Sequence, residues 1–212
     1  MRRKGVWLTI LVVGCFSSVF AQRGIQEFTS SGTFQVPTGV STLRVDAYGA
    51  GGGGGGGSPT ACGGGGGGGA YAGGVITVSP GAVLTIVIGK GGARGLAGDP
   101  AGAGSAGGAS RILTSSGVVL FSASGGKGGQ GASGSTGGSG GTGGARGKFG
   151  SISHAGQNGT AGDSMDVGMG GAGYVPVGFS VVSAVGFGAG SFGGFEEENG
   201  TNGVPGYILI SW

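Results

Sequence analysis

From residue 125 to residue 143 a glycine falls at every third position, written GGK-GGQ-GAS-GST-GGS-GGT-GGA. Only one extended regular backbone turns once in three residues and has no use for large side chains, the polyproline-II type helix. Its N–H and C=O groups point outward and stay unpaired within the strand. A stripe without side chains lets a neighbouring strand approach closely enough to take up those groups. The chain is therefore expected to fold in part as glycine helices packed side by side. After Arg146 the frame slips by one residue and resumes at Gly147, Gly150, Gly156, Gly159, Gly162, Gly168 and Gly171. Upstream, Gly92, Gly95, Gly98, Gly104 and Gly107 share one frame. Two unbroken runs, 51–57 and 63–69, flank the short segment Ser58-Pro59-Thr60-Ala61-Cys62 and read as an antiparallel pair joined by a turn.

Collagen also places glycine at every third residue, but it needs many prolines. This chain has 6 among 212 residues, and its triplets change frame. Disorder is the other alternative, since glycine-rich chains without a period rarely fold. Here a period exists, and apolar segments frame each glycine block. Ordering glycine costs more backbone entropy than ordering any other residue, so a scaffold is required.

That scaffold reads as β-structure. Residues 28–36 run into Pro37-Thr38-Gly39. Residues 42–48 follow, with Leu43, Val45 and Ala47 on one face. Residues 71–78 meet Ser79-Pro80-Gly81, and 83–88 return. Residues 111–114 turn at Ser115-Ser116-Gly117 into 118–123, and 207–212 close the chain. Residues 175–185 read as a further strand. No window beyond the first residues carries a 3.6-residue period. The expected class is all-β: a small sandwich or jelly-roll-like framework with a layer of packed polyglycine-II helices. The C-terminal Trp212 does not make it an outer-membrane barrel, because glycine blocks cannot face lipid.

Residues 1–21 read as a secretory signal peptide, leaving 22–212 as one domain. Arg2, Arg3 and Lys4 precede an apolar stretch, and Val19-Phe20-Ala21 is a cleavage site. Secretion or display at the cell surface follows, and no transmembrane segment is expected. Val12-Val13-Gly14-Cys15 also reads as a bacterial lipobox, in which case Cys15 would carry a lipid anchor. Without its leader the chain would be close to neutral, which argues against a nucleic-acid partner. Cys62, the one other cysteine, reads as a small buried residue or as an intermolecular disulfide.

Chemistry is sparse. His154 is the single histidine and reads as a loop or surface residue. The match to G-x-S-x-G at 137–141 lacks a strand-to-helix context. Asp163 and Asp166 read as solvated loop carboxylates, as does Glu196-Glu197-Glu198. No metal, cofactor or catalytic residue is assigned. Asn158-Gly159-Thr160 and Asn199-Gly200-Thr201 are glycosylation acceptors only in a eukaryote. Tyr174, Phe179, Phe187, Phe192 and Phe195 form an aromatic cluster between glycine blocks. It reads either as a binding surface or as packing between the β-layer and the glycine layer.

FTSSGTFQVPTGVSTLRVDAYGAGGGGG, GGGGGGGAYAGGVITVSPGAVLTIVIGKGG and the closing GVPGYILISW together resemble the glycine-rich domains of phage tail proteins and bacterial secreted proteins. The chain is also similar to the polyglycine-II sandwich of distal tail-fibre adhesins. A more distant similarity is to the glycine-rich domain of an animal receptor tyrosine kinase family. The resemblance implies a non-catalytic extracellular binding or structural role and transfers no ligand. The expected function is a secreted structural or adhesive protein whose loops contact a surface glycan, a protein, a polymer or further copies of itself. A receptor-binding tip adhesin of phage type is the alternative, disfavoured by the secretory leader.

Overall fold

A computed structural model describes residues 23–173 and 187–212. The segment read as a signal peptide, Cys15, the strand expected at 175–185, Tyr174 and Phe179 lie outside the described residues. Those residues contain no helix. They form nine strands: β1 (Ile25–Phe28), β2 (Gly32–Gln35), β3 (Thr42–Tyr48), β4 (Tyr71–Thr77), β5 (Val83–Val87), β6 (Ser110–Thr114), β7 (Val119–Ala123), β8 (Ile152–His154) and β9 (Tyr207–Ser211). Two antiparallel sheets, ordered β1-β9-β3-β4-β8 and β2-β5-β6-β7, pack face to face. Alternation decides which face is inward. Leu43, Val45 and Ala47 on β3, Ile208 and Ile210 on β9, Ile86 on β5 and Ile112 and Phe121 on β6 and β7 are all fully buried between the sheets.

Two expectations need correction. Residues 28–36 are not one strand. The chain turns at Thr29-Ser30-Ser31, so β1 and β2 join different sheets, and the Ser31 hydroxyl accepts the Ile88 N–H at 2.9 Å. His154 does not sit in a loop. It ends β8 opposite Tyr71, with its ring stacked 6.2 Å from the tyrosine. The glycine frame at Gly147 and Gly150 accordingly leaves the bundle to feed β8.

The connections differ at the two ends of the sandwich. At one end the turns are short, and Gly39, Gly81 and Gly117 hold φ of 82°, 78° and 84°, a left-handed region that side chains disfavour. At the other end, apart from the three-residue turn between β1 and β2, the connections are long and glycine-rich. These connections supply ten extended segments: g1 (50–57), g2 (62–70), g3 (89–98), g4 (101–108), g5 (125–132), g6 (137–144), g7 (156–162), g8 (168–173), g9 (188–195) and g10 (198–206).

The segments bond to one another through their main chains, and the bonding direction rotates with a period of three. In g1 the N–H groups of Gly51, Gly54 and Gly57 donate to g10, those of Gly52 and Gly55 to g2, and those of Gly53 and Gly56 to g4. Its carbonyls accept from g3, g5 and g9, so g1 has six bonded neighbours. Segment g2 has six as well, donating to g9, g5 and g7 and accepting from g1, g6 and g8. Representative N···O distances are 2.9 Å for Gly55 to Gly64 and 2.8 Å for Gly67 to Lys127. This pattern arranges the segments in three rows, g4-g5-g6, g3-g1-g2-g7 and g10-g9-g8, with the two all-glycine runs at the centre.

A side chain has no room there. A Cβ on Gly55 would collide with the Gln130 carbonyl, and one on Gly66 with that of Gly52. Outer segments carry side chains on the faces that lack a neighbour. Some of these side chains replace the missing strand. Ser105 Oγ accepts the Ala93 N–H (2.7 Å), Asn202 Oδ1 that of Arg94 (2.9 Å), Asn199 Oδ1 that of Ala97 (2.8 Å), Asn158 Oδ1 that of Gly143 (2.9 Å), and Thr160 Oγ1 that of Met169 (2.8 Å).

Candidate binding surface at the distal tip

The glycine hairpins reverse at the end farthest from the sandwich, and their five turns meet there. Segment 58–61 lies at the centre, where Ser58 N–H donates to the Ala61 carbonyl at 2.8 Å. The Ser58 and Thr60 hydroxyls both donate to the Gly134 carbonyl, at 2.6 and 2.9 Å. Gly134 N–H donates in turn to Asp99 Oδ1 at 2.8 Å. Glu197 N–H reaches the Ser58 carbonyl at 3.1 Å, and Cys62 N–H reaches the Asp163 carbonyl at 2.7 Å. The turns of all five hairpins are thus tied into one surface by bonds that cross between them.

The charge of this surface is one-sided. Asp99, Asp163, Asp166, Glu196, Glu197 and Glu198 are all exposed on it, while the other two carboxylates of the chain, Glu27 and Asp46, belong to the sandwich. No lysine or arginine lies in these turns. Asp163 Oδ1 accepts the N–H groups of Met165 and Asp166, both at 2.7 Å, which holds its pKa below the ordinary carboxylate range. That carboxylate folds its own turn, and among the described residues no cluster of three or more metal-ligating side chains is present. Cys62 is buried and forms no disulfide. Burial, then the nearby Glu196 and Asp163 carboxylates, raises its pKa.

Of the aromatic residues singled out in the sequence, the three described ones do not share one place. Phe187 stacks on Tyr207 with ring centroids 4.6 Å apart and packs with Tyr48, Tyr71 and Leu209 at the waist between the two layers. Phe192 and Phe195 instead project from g9 near the tip. The sequence reading missed the side chains that cap the outer segments. Their signal was an Asn, Ser or Thr recurring in outer triplets, which two glycosylation motifs obscured.

Two hollows on or beside the sandwich are lined in part by charged side chains. One of about 90 Å³ is lined by Arg44, Asp46, Tyr71 and Ser151. It is far smaller than the several hundred Å³ typical of ligand pockets. The other, about 370 Å³, opens between Thr29-Ser30-Ser31 and Lys90, with no acid, base and nucleophile brought together.

A glycine-rich domain family model matches residues 29–209, from the first turn of the sandwich to its last strand. The chain belongs to the glycine-rich domain family. No curated protein matches the sequence. The match spans residues of both layers. No helix among the described residues is long and apolar enough to cross a membrane.

Proposed function

We propose that the protein is a secreted, non-enzymatic structural or adhesive module. Its sandwich holds a polyglycine-II bundle, and the bundle presents its distal loops to a surface, a polymer or further copies of the chain. The observation that carries this reading is the construction of the tip. Five turns from separate hairpins are cross-bonded into one face, at the far end of a lattice whose central glycine runs leave no room for side chains. Loops on a rigid scaffold are where binding residues concentrate, because the scaffold fixes them at low entropic cost. Secretion rests on the predicted leader. The resemblance to tail-fibre adhesins is of the same kind, loops displayed on packed glycine helices.

Replacing 163–167 and 195–198 together with Gly/Ser turns of equal length tests this reading. Adhesion of labelled protein to glycan arrays and cell surfaces is expected to fall to background, with the melting temperature held within a few degrees. Unchanged adhesion would exclude the tip as the binding end.

A further inference from the structure

An apolar surface adjoins the acidic tip. Phe192 and Phe195 on g9 are 52% and 45% exposed, Met169 on g8 is 58% exposed, and Met165 in the neighbouring turn is 80% exposed. Segments g8 and g9 are direct neighbours, joined by Gly193 N–H to the Gly168 carbonyl at 2.8 Å. The four side chains therefore lie along one edge of the bundle that runs up to the carboxylates. Large exposed apolar side chains gathered in this way mark interaction surfaces, with aromatic and methionine side chains enriched at their centres.

We propose that this edge docks a cationic polypeptide segment of another protein, one that alternates Lys or Arg with aliphatic side chains. The assignment rests on the reading of the tip as the binding end and names its partner. Charge complementarity selects the occupant. Five carboxylates, Asp163 and Asp166 in the turn before g8 and Glu196, Glu197 and Glu198 after g9, adjoin the patch, and neither turn carries a lysine or arginine, so nucleic acid and anionic lipid headgroups are repelled. A second copy of the chain fits poorly. Its turns at the far end of the sandwich, Pro37-Thr38-Gly39, Ser79-Pro80-Gly81 and Ser115-Ser116-Gly117, carry no charge. Its described cations, from Arg23 and Arg44 to Lys90, Lys127 and Lys148, are scattered over different elements. Phe192 and Phe195 would accept the aliphatic side chains while Glu196, Glu197 and Glu198 pair with the cations.

The experiment uses the full chain and three synthetic peptides of equal length: Lys/Leu, oligolysine and Glu/Leu. Affinity is read by calorimetry at low and at high salt. The Lys/Leu peptide is expected to bind, and to lose about tenfold or more in affinity when Glu196, Glu197 and Glu198 are all changed to Gln, as for loss of charge pairs at an interface. The double variant Phe192→Ser/Phe195→Ser is expected to weaken binding by a similar factor while leaving its salt dependence intact. Glu/Leu binding as tight as Lys/Leu would overturn the proposal, and so would oligolysine matching Lys/Leu on the unaltered chain. That last comparison needs no variant to fold. Sedimentation showing self-association that the Lys/Leu peptide displaces would overturn it in favour of a second copy. If loop replacement abolishes adhesion but the Glu→Gln variant adheres normally and binds no cationic peptide, this proposal falls and the display reading stands. If loop replacement changes nothing, the display reading itself has failed.

Discussion

The sandwich and the glycine layer are two cores built on opposite rules. In the sandwich, main-chain bonds run within each sheet and side chains fill the space between sheets. Burying Leu43, Ile86, Ile112 and Phe121 there removes apolar surface from water. In the glycine layer the main chain itself fills the space, and each central segment bonds to six others. A main-chain hydrogen bond contributes about 1 kcal/mol net. Fixing one residue costs about 1–2 kcal/mol, and glycine costs most. Main-chain bonds alone therefore do not offset the cost of ordering, and the layer depends on the sandwich, whose strands hold most of the segments at one end. The same residue change should then act oppositely in the two regions: adding atoms harms one, and removing them harms the other.

The largest effect is expected where a single methyl enters the glycine lattice. Gly55→Ala would drive a Cβ into the Gln130 carbonyl with no flexible side chain to yield. Overpacking a tight core costs about 1–3 kcal/mol and more when backbone must move. We expect loss of the layer, read as collapse of amide protection across 50–70 and 125–144. Gly32→Ala is the matched control. Nothing lies within 4 Å of a Cβ at Gly32, so its stability should stay within about 0.5 kcal/mol of the parent, as for surface changes generally. If Gly55→Ala melts like the parent, the notion of a main-chain core is wrong.

Removing atoms from the sandwich comes next. Phe121→Ala empties a fully buried ring site between the sheets and is expected to cost about 3–5 kcal/mol by chemical denaturation. Because the sandwich clamps the bundle, protection should be lost in both layers at one denaturant concentration. Separate transitions would show that the glycine layer stands on its own.

How much of this was legible in the residues follows the same divide. Strands β3 and β5 were readable because alternation and Pro-Gly turns bound them. Strand β8 was not, because three residues flanked by glycine have no room to show a period. The break between β1 and β2 was missed although Ser30-Ser31-Gly32 repeats the turn signal of Ser115-Ser116-Gly117, because Phe28, Phe34 and Val36 on either side keep one alternating register through it. In the glycine layer, composition encodes position. Segments g1 and g2, unbroken glycine over 51–57 and 63–69, have six neighbours, g5, with two glycines in three, has four, and g7, with one in three, has three. Segment g6 breaks the pattern, keeping two glycines in three with only three neighbours. At the tip, the acidic turns could be read, but their convergence could not. It depends on which hairpins the lattice places side by side.

The smallest effect tests the boundary between the two regions. Tyr71 Oη donates to Asp46 Oδ1 at 2.5 Å, beneath a cluster in which Tyr48 and Tyr207 close the waist. Burial, then the bond to Asp46, pushes the Tyr71 phenol well above its ordinary value. The sign of the pH effect follows directly. A group whose pKa is raised on folding contributes stability that is complete below its unfolded value and lost as pH climbs toward the folded value. Stability should therefore fall as pH rises above about 10, where an unfolded tyrosine ionises. Tyr71→Phe should flatten that alkaline loss. At neutral pH it should cost about 1–3 kcal/mol, because it leaves the buried Asp46 carboxylate short of a donor. Arg44 Nε, 3.4 Å from Asp46 Oδ2 and largely exposed, offsets part of that cost. The comparison sharpens if the variant loosens the Phe187 stack on Tyr207 and the bases of g2 and g10 exchange faster, while the tip keeps its protection. Uniform loosening from waist to tip would mean that the glycine layer has no stiffness of its own, and that the polar cluster at the waist sets the order of the whole bundle.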